Sequence, residues 1–269
     1  MFNNLLDLKN LNQVFSQNKS KYGFGFVVID DCIDEVLYTK LLNGFPNSNK
    51  ESSNYKQGYL GQYKNEVNPN TVDEDLRNSV SKFLQFEIVK LLEHITSIEG
   101  IIVDPSFLGG GFHQTFRSGK LGMHTDFRIH ETLKVERKLN FILYLNEEWR
   151  DDWNGALSLA DKNKLKIAKI YPIRNRAVLM ETNSVSWHGH PEELNTPENI
   201  SRKSLALYYY VSLSEKNDIK NYNTIYTNTD GVTISDRVKI ISNNLLQIIA
   251  NDYIPPILLR LLKVYMRKK

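Results

Sequence analysis

The sequence predicts a mainly β domain with flanking helices, on three observations. From Gly100 to Ser214, short β-rich runs follow one another between turn signals, with almost no helical periodicity. Segments on either side carry apolar residues at helical spacing instead. The chain has 269 residues, 41% hydrophobic and 24% charged, enough to bury a core without covalent staples.

Taken in order, "YGFGFVVIDD" (Tyr22 to Asp31) reads as a strand, and "DEVLYTKLLNGFP" as a helix ended by Gly-Phe-Pro. A polar Asn- and Ser-rich loop follows, roughly 47 to 70. A second helix, about Asp73 to Ser97, carries a stripe of Val80, Phe83, Leu84, Ile88, Leu91 and Leu92 suited to packing on a sheet. The next eight runs are "GFHQTF", "LGMHTDF", "KLNFILYLN", "GALSLAD", "KIAKIYP", "RAVLMET", "SVSWHGH" and "SLALYYYVSL". Eight short strands at such spacing suggest an antiparallel sandwich or jelly roll. Asn154-Gly155 and the stretch from Pro172 to Arg176 read as hairpin turns. From Thr233 on, a helical pattern broken at Pro255-Pro256 alternates Leu258, Leu259, Leu261, Leu262 and Tyr265 with Arg260, Lys263 and Arg267. Such a tail packs on its own domain or meets an anionic membrane surface or a partner. The expected division is residues 1–99 as support, 100–215 as the β core and 216–269 as a basic helical extension.

Charge and cysteine count narrow the classes. The net charge is +3, but seven Lys or Arg stand against two Asp from Thr233 onward, so the rest is slightly acidic. A basic surplus confined to a tail, and not interleaved with aromatic strands, argues against a nucleic-acid partner. Cys32 is the single cysteine, which excludes an internal disulfide and a thiolate cluster and suits a reducing compartment. With no basic leader and no apolar window near ~18 residues, the expected location is the cytoplasm.

Chemistry concentrates on the strand faces. Alternate residues of a strand share a face, so His124 and Asp126 point together. In "KLNFILYLN", Leu139, Phe141, Leu143 and Leu145 form a packing face, leaving Asn140, Ile142 and Tyr144 opposite. In "RKSLALYYYV", Leu205, Leu207, Tyr209 and Val211 lie on one side and Arg202, Ser204, Ala206 and Tyr208 on the other. Arginine, serine and a small alanine facing a cavity make a carboxylate seat with room beside it, where a purely structural barrel would place Val, Ile or Leu. Between these strands "SVSWHGH" offers His188 and His190. Two imidazoles and one carboxylate would form the facial triad that suits Fe(II) and leaves three positions open, enough for a bidentate 2-oxo acid and dioxygen. His190 precedes Pro191, where the chain leaves the strand, which favours His188. His130, in the polar "RIHETLKVER" connection, reads as a solvated or substrate-side loop residue.

"HTDF", "KLNFILYLNEEW", "NGALSL", "SWHGH" and "RKSLALYYYV", in that order, resemble the Fe(II)- and 2-oxoglutarate-dependent dioxygenases, specifically the prolyl 4-hydroxylase-like branch. The resemblance spans about Gly109 to Val211. It implies a double-stranded β-helix core packed against the N-terminal helices. It makes His124, Asp126 and His188 the iron ligands, and gives Arg202, helped by Tyr144 and Ser204, the distal carboxylate of 2-oxoglutarate. His113, Gln114 and Asn140 are candidates for the substrate side. The implied reaction consumes O2 and 2-oxoglutarate, releases succinate and CO2, and hydroxylates an unactivated C–H of a small molecule or protein side chain, with ascorbate as an accessory reductant. The alternative is a β-barrel binding module without turnover, or one holding another metal.

Overall fold

The computed structural model of the protein describes residues 2–3, 7–46, 61–213, 224–227, 238, 241–242 and 245. The polar stretch up to Leu60 and nearly all of the proposed C-terminal helix lie outside the described residues.

The chain begins with helix α1 (Leu8–Tyr22), capped by the Asp7 carboxylate accepting from the Asn10 amide and closed by Gly23 in the left-handed region. Strand β1 (Phe26–Ile29) and helix α2 (Glu35–Asn43) follow, the latter capped by Asp34. Inside the expected polar loop lies a strand, β2 (Gln62–Val67). The single helix expected over 73–97 is two, α3 (Glu74–Ser81) and α4 (Phe86–Thr96), separated by a 3-10 turn, Lys82–Leu84. The break leaves the stripe in place, since Val80, Phe83, Ile88 and Leu92 are all buried.

Strands β3 (Ile102–Val103), β4 (Gly111–Thr125), β5 (Glu136–Tyr144), β6 (Leu157–Ala160), β7 (Lys166–Ile170), β8 (Ala177–Glu181), β9 (Trp187–His190), β10 (Arg202–Val211) and β11 (Ile225–Tyr226) complete the fold. All pair antiparallel, in the order β1-β8-β5-β10-β4-β9-β6-β7, with β2 and β11 also on β4 and β3 on β10. The architecture is a nearly closed, jelly-roll-like barrel with helices against it.

Strand β4 joins the two halves. The runs "GFHQTF" and "LGMHTDF", expected as separate strands, are one 15-residue element. Its first half pairs with β10 and β2, and its second half with β9 and β11. The turns expected to close hairpins do not. Asn154 and Gly155 both adopt positive φ, but β5 and β6 do not pair, and the link from Ile170 to Ala177 carries the chain from β6's neighbour to β5's.

Two apolar clusters reflect the alternation. The larger holds Leu139, Phe141, Leu143, Leu205, Leu207 and Tyr209 against Phe15, Leu41, Val80, Phe83 and Leu92 of the helices. The smaller lies between the barrel halves and includes Ile142, Tyr144, Leu157, Leu159, Val178 and Met180. Helices thus cover one face of β5 and β10, and the other face turns inward, where the polar residues are.

Candidate metal centre and co-substrate seat

Strand register assembles the site. His124 of β4 lies directly across from His188 of β9, with ring centroids 4.4 Å apart. Gly189 permits this approach, because a Cβ there would sit 2.6 Å from the Gly122 carbonyl oxygen. Asp126, one residue past the end of β4, brings Oδ1 to 3.7 Å from His124 Nε2 and Oδ2 to 3.4 Å from His188 Nε2. The ligand atoms of the three residues all fall within 4.8 Å of one another.

The histidines are also oriented. Each Nδ1 sits against a backbone carbonyl, His124 with Gly122 at 2.8 Å and His188 with Ser186 at 3.1 Å. A proton on Nδ1 satisfies those carbonyls and leaves both Nε2 lone pairs directed at the shared space, the tautomer a metal ligand requires. Burial, reinforced by the nearby His188, pushes the His124 pKa down to about 3. Burial opposes ionisation of Asp126, but Arg137, the two histidines and Asn140 overcome it and hold the carboxyl at about 2. Two neutral nitrogens and one carboxylate, buried and convergent, fit a divalent iron ion.

Rows of side chains across β2, β4, β10 and β5 line the inward face. One row contains Lys64, Thr115 and Arg202, and the next contains Glu66, His113, Ser204 and Tyr144. Ala206 and Ile142 come next, followed by Tyr208 and Asn140. Arg202, 5% exposed, donates through Nε to the Gly155 carbonyl at 2.8 Å and through Nη2 to the Tyr144 hydroxyl at 3.2 Å. No carboxylate among the described residues pairs with it. Burial holds its pKa below the usual guanidinium range, and burial likewise pushes Tyr144 up. A buried cation whose only partners are neutral oxygens is a seat for an anion.

The other candidates separate by face. His113 lies on the inward face between Ser204 and Glu66, whereas Gln114 turns outward and donates to Ser201 Oγ at 2.8 Å. Asn140 donates to Asp126 Oδ2 at 3.3 Å, so it contacts the carboxylate directly. His190 is buried one step along β9 from His188, and burial depresses its pKa. His130, expected as a solvated or substrate-side loop residue, is 2% exposed, with Nε2 3.2 Å from Asp104 Oδ2 and Nδ1 accepting from the Thr132 and Leu133 amides. It fastens the loop after Asp126.

Three residues escaped the sequence reading. Arg137 is 1% exposed, with Nη2 3.1 Å from Asp126 Oδ2 and its guanidinium 3.2 Å from the Tyr208 ring centroid. Alternation along β5 would place it with Leu139 on the packing face. The ladder skips Lys138, pairing Leu139 with Tyr209 but Arg137 with Tyr210, and this bulge turns Arg137 inward. Lys64, 7% exposed and 2.9 Å from Glu66, lay in what reads as a loop. Tyr226, its ring 5.2 Å from His124, sits on a two-residue strand with no pattern to find.

Comparison with known proteins agrees with this geometry. Residues 110–210 match the family model of the 2OG-Fe(II) oxygenase superfamily. A search of curated proteins gives no match. Among solved structures, the chain resembles a Pseudomonas putida prolyl-4-hydroxylase with TM-score 0.51 and 16% identity, covering 76% of this chain and 100% of that one. It also resembles a Trichoplax adhaerens prolyl hydroxylase solved with a hypoxia inducible factor oxygen degradation domain peptide, with TM-score 0.51 and 16% identity over 76% and 90% of the two chains. A Phytophthora capsici prolyl 4-hydroxylase gives TM-score 0.50 and 19% identity over 92% and 78%. At such identities the likeness establishes a shared fold.

Proposed function

With residues 110–210 placed in the 2OG-Fe(II) oxygenase superfamily, an enzyme class that uses Fe(II), 2-oxoglutarate and O2, we propose that His124, Asp126 and His188 hold the iron and Arg202 seats the co-substrate. The convergence of that buried triad on one face, beside an arginine without a carboxylate partner, carries the reading. Iron supplies the redox chemistry that couples decarboxylation of 2-oxoglutarate to hydroxylation of an unactivated C–H bond.

The chain's own part is to bind and orient. Arg202 and the Tyr144 hydroxyl present donors to a carboxylate, and Ser204, in the same row as Tyr144, lies beside them. Ala206, a small side chain, follows in the next row of the same face. The Tyr144 phenol stays protonated, because burial raises its pKa, so it donates to an anion instead of repelling it. Burial of the three ligands keeps bulk water from them.

For the fold we propose a double-stranded β-helix core over 100–215, supported by 1–99 and extended by 216–269. The substrate is a small polar molecule or a protein side chain entering beside His113, Lys64, Glu66 and Tyr226. The expected location is the cytoplasm; no helix among the described residues is long and apolar enough to cross a membrane.

Anaerobic addition of Fe(II) and 2-oxoglutarate tests the proposal. The wild type should give the weak visible charge-transfer band of the chelate, and Asp126→Ala should lose it. Retained 2-oxoglutarate turnover with full iron occupancy in Asp126→Ala would remove the triad assignment. A folded wild type with no band would favour a binding module or another metal.

A further inference from the structure

Two histidines of β9 share a face, and the metal reading uses only one of them. His190 alternates with His188 across Gly189, so it points the same way, and it is 2% exposed. His124 and His188 each place Nδ1 against the backbone carbonyl two residues earlier, and His130 Nδ1 accepts from two amides. His190 Nδ1 is buried too, yet it reaches no hydrogen-bond partner among the described residues. A buried polar atom left unmet is costly, and a ligand that meets it recovers the loss.

The surroundings of His190 say which ligand. Arg202 Nε holds the carbonyl of Gly155, three residues before Ser158, and Ser158 pairs with Gly189. The ladder thus sets His190 toward the Arg202 end of the inward face. After burial, the charges of Arg202 and Lys64 do most to depress its pKa, with His124 next. The imidazole is therefore neutral, with one N–H to give, and cations stand beside it. A spare donor among cations complements an anion.

We propose that His190 is a further binding residue for the co-substrate, its Nδ1–H donating to the distal carboxylate that Arg202 seats. The proposal rests on the co-substrate reading above and adds a neutral donor to it. Arg202 and Tyr144 approach the carboxylate from β10 and β5, and His190 approaches from β9, so both halves of the barrel hold one anion. Donors built for that group select the dicarboxylate over a 2-oxo acid of equal length that lacks it.

Anaerobic titration of the Fe(II)-loaded full chain, followed by the chelate band, tests this with two acids. One is 2-oxoglutarate; the other is 2-oxopentanoate, which has the same chain length and no distal carboxylate. His190→Leu should weaken 2-oxoglutarate about tenfold or more, the loss of one hydrogen bond to a charged group. The same variant should keep 2-oxopentanoate and Fe(II) affinities within about twofold of the wild type. His190→Asn, which returns an N–H near the place of Nδ1, should recover most of the loss. Altered packing alone would weaken both acids alike and would not be rescued by the smaller Asn. Unchanged 2-oxoglutarate affinity in His190→Leu, equal weakening of both acids, or no recovery in His190→Asn would overturn the proposal. If His190→Leu does not fold, His190→Ala takes its place in the comparison. A wild type that gives no band with either acid would instead remove the co-substrate reading itself.

Discussion

Two arginines are buried at opposite ends of the inward face of β5 and β10, and their environments differ in one respect. Arg137 has a carboxylate 3.1 Å away, and despite burial that charge raises its pKa. Arg202 has a carbonyl and a phenol, and burial lowers its pKa. Arg137 completes its electrostatics within the chain, whereas Arg202 keeps an unmet demand for an anion. The same side chain is thus structural at one end and a binding group at the other, and the nearest carboxylate decides which.

The contrast breaks or stands on stability first. Removing one partner of a buried ion pair costs about 3–5 kcal/mol. Asp126→Ala should therefore destabilise the metal-free protein by that order, because Arg137 loses its counter-charge. Arg202→Met, which keeps volume and deletes an unpaired cation, should leave metal-free stability within about 1 kcal/mol or raise it. Denaturant melts of both variants check this. An Arg202→Met protein less stable than Asp126→Ala would erase the distinction.

The next effect is on binding. Arg202→Ala removes a charge-assisted contact worth about 1.5–3 kcal/mol, so the apparent 2-oxoglutarate affinity should fall roughly ten- to hundredfold with metal affinity kept. An unchanged value would transfer the role to another cation, with Lys64, in the same row, the first to examine.

A third test uses pH. The folded pKa of His124 lies below its ordinary value of 6.5, as does that of His190, so the unfolded chain takes up protons first as pH falls. Stability contributed by neutral histidine is present above about pH 6.5 and declines below it, by about 1–2 kcal/mol for each by pH 5. Asp126 acts in the same direction only below its ordinary 3.8. Thermal melts of the metal-free protein should therefore lose temperature from pH 7 to 5. A flat profile would show the two imidazoles titrating normally.

The smallest effect is at Gly155, whose carbonyl accepts from Arg202 and whose φ is 72°. A Cβ there would stand 2.4 Å from Leu194 Cδ2 and 3.4 Å from Arg202 Cδ. Gly155→Ala should cost about 1 kcal/mol or more and weaken 2-oxoglutarate binding several-fold, with metal affinity unchanged in direct titration.

These two ends of the inward face were unequally legible in the sequence. Arg202, Ser204 and Tyr144 follow from period-two alternation in long regular strands, where one register assignment places every side chain. Leu139, Phe141, Leu205 and Leu207 on the helix-covered face agree with the same rule. Arg137 was hidden because a bulge breaks the period between it and Leu139. In a polar stretch His130 reads as solvated or substrate-side, and only its long-range meeting with Asp104 shows why it is buried. The break between α3 and α4 is a local 3-10 turn that preserves the apolar stripe, so hydrophobic spacing could not reveal it.

The length of β4 sets a rule for insertions and deletions. One ribbon carries Thr115 and His113 into the co-substrate wall and His124 into the triad. Adding or deleting a single residue within it would turn one set of groups to the outside while the other stayed in place. Changes in its length are therefore admissible in pairs, or singly only where an irregular stretch absorbs the odd residue. The pairing with β2 skips one residue between Gln62 and Lys64 against four between Lys120 and Thr115, which marks the segment around Ser118 and Gly119 as the place where this chain can change its count.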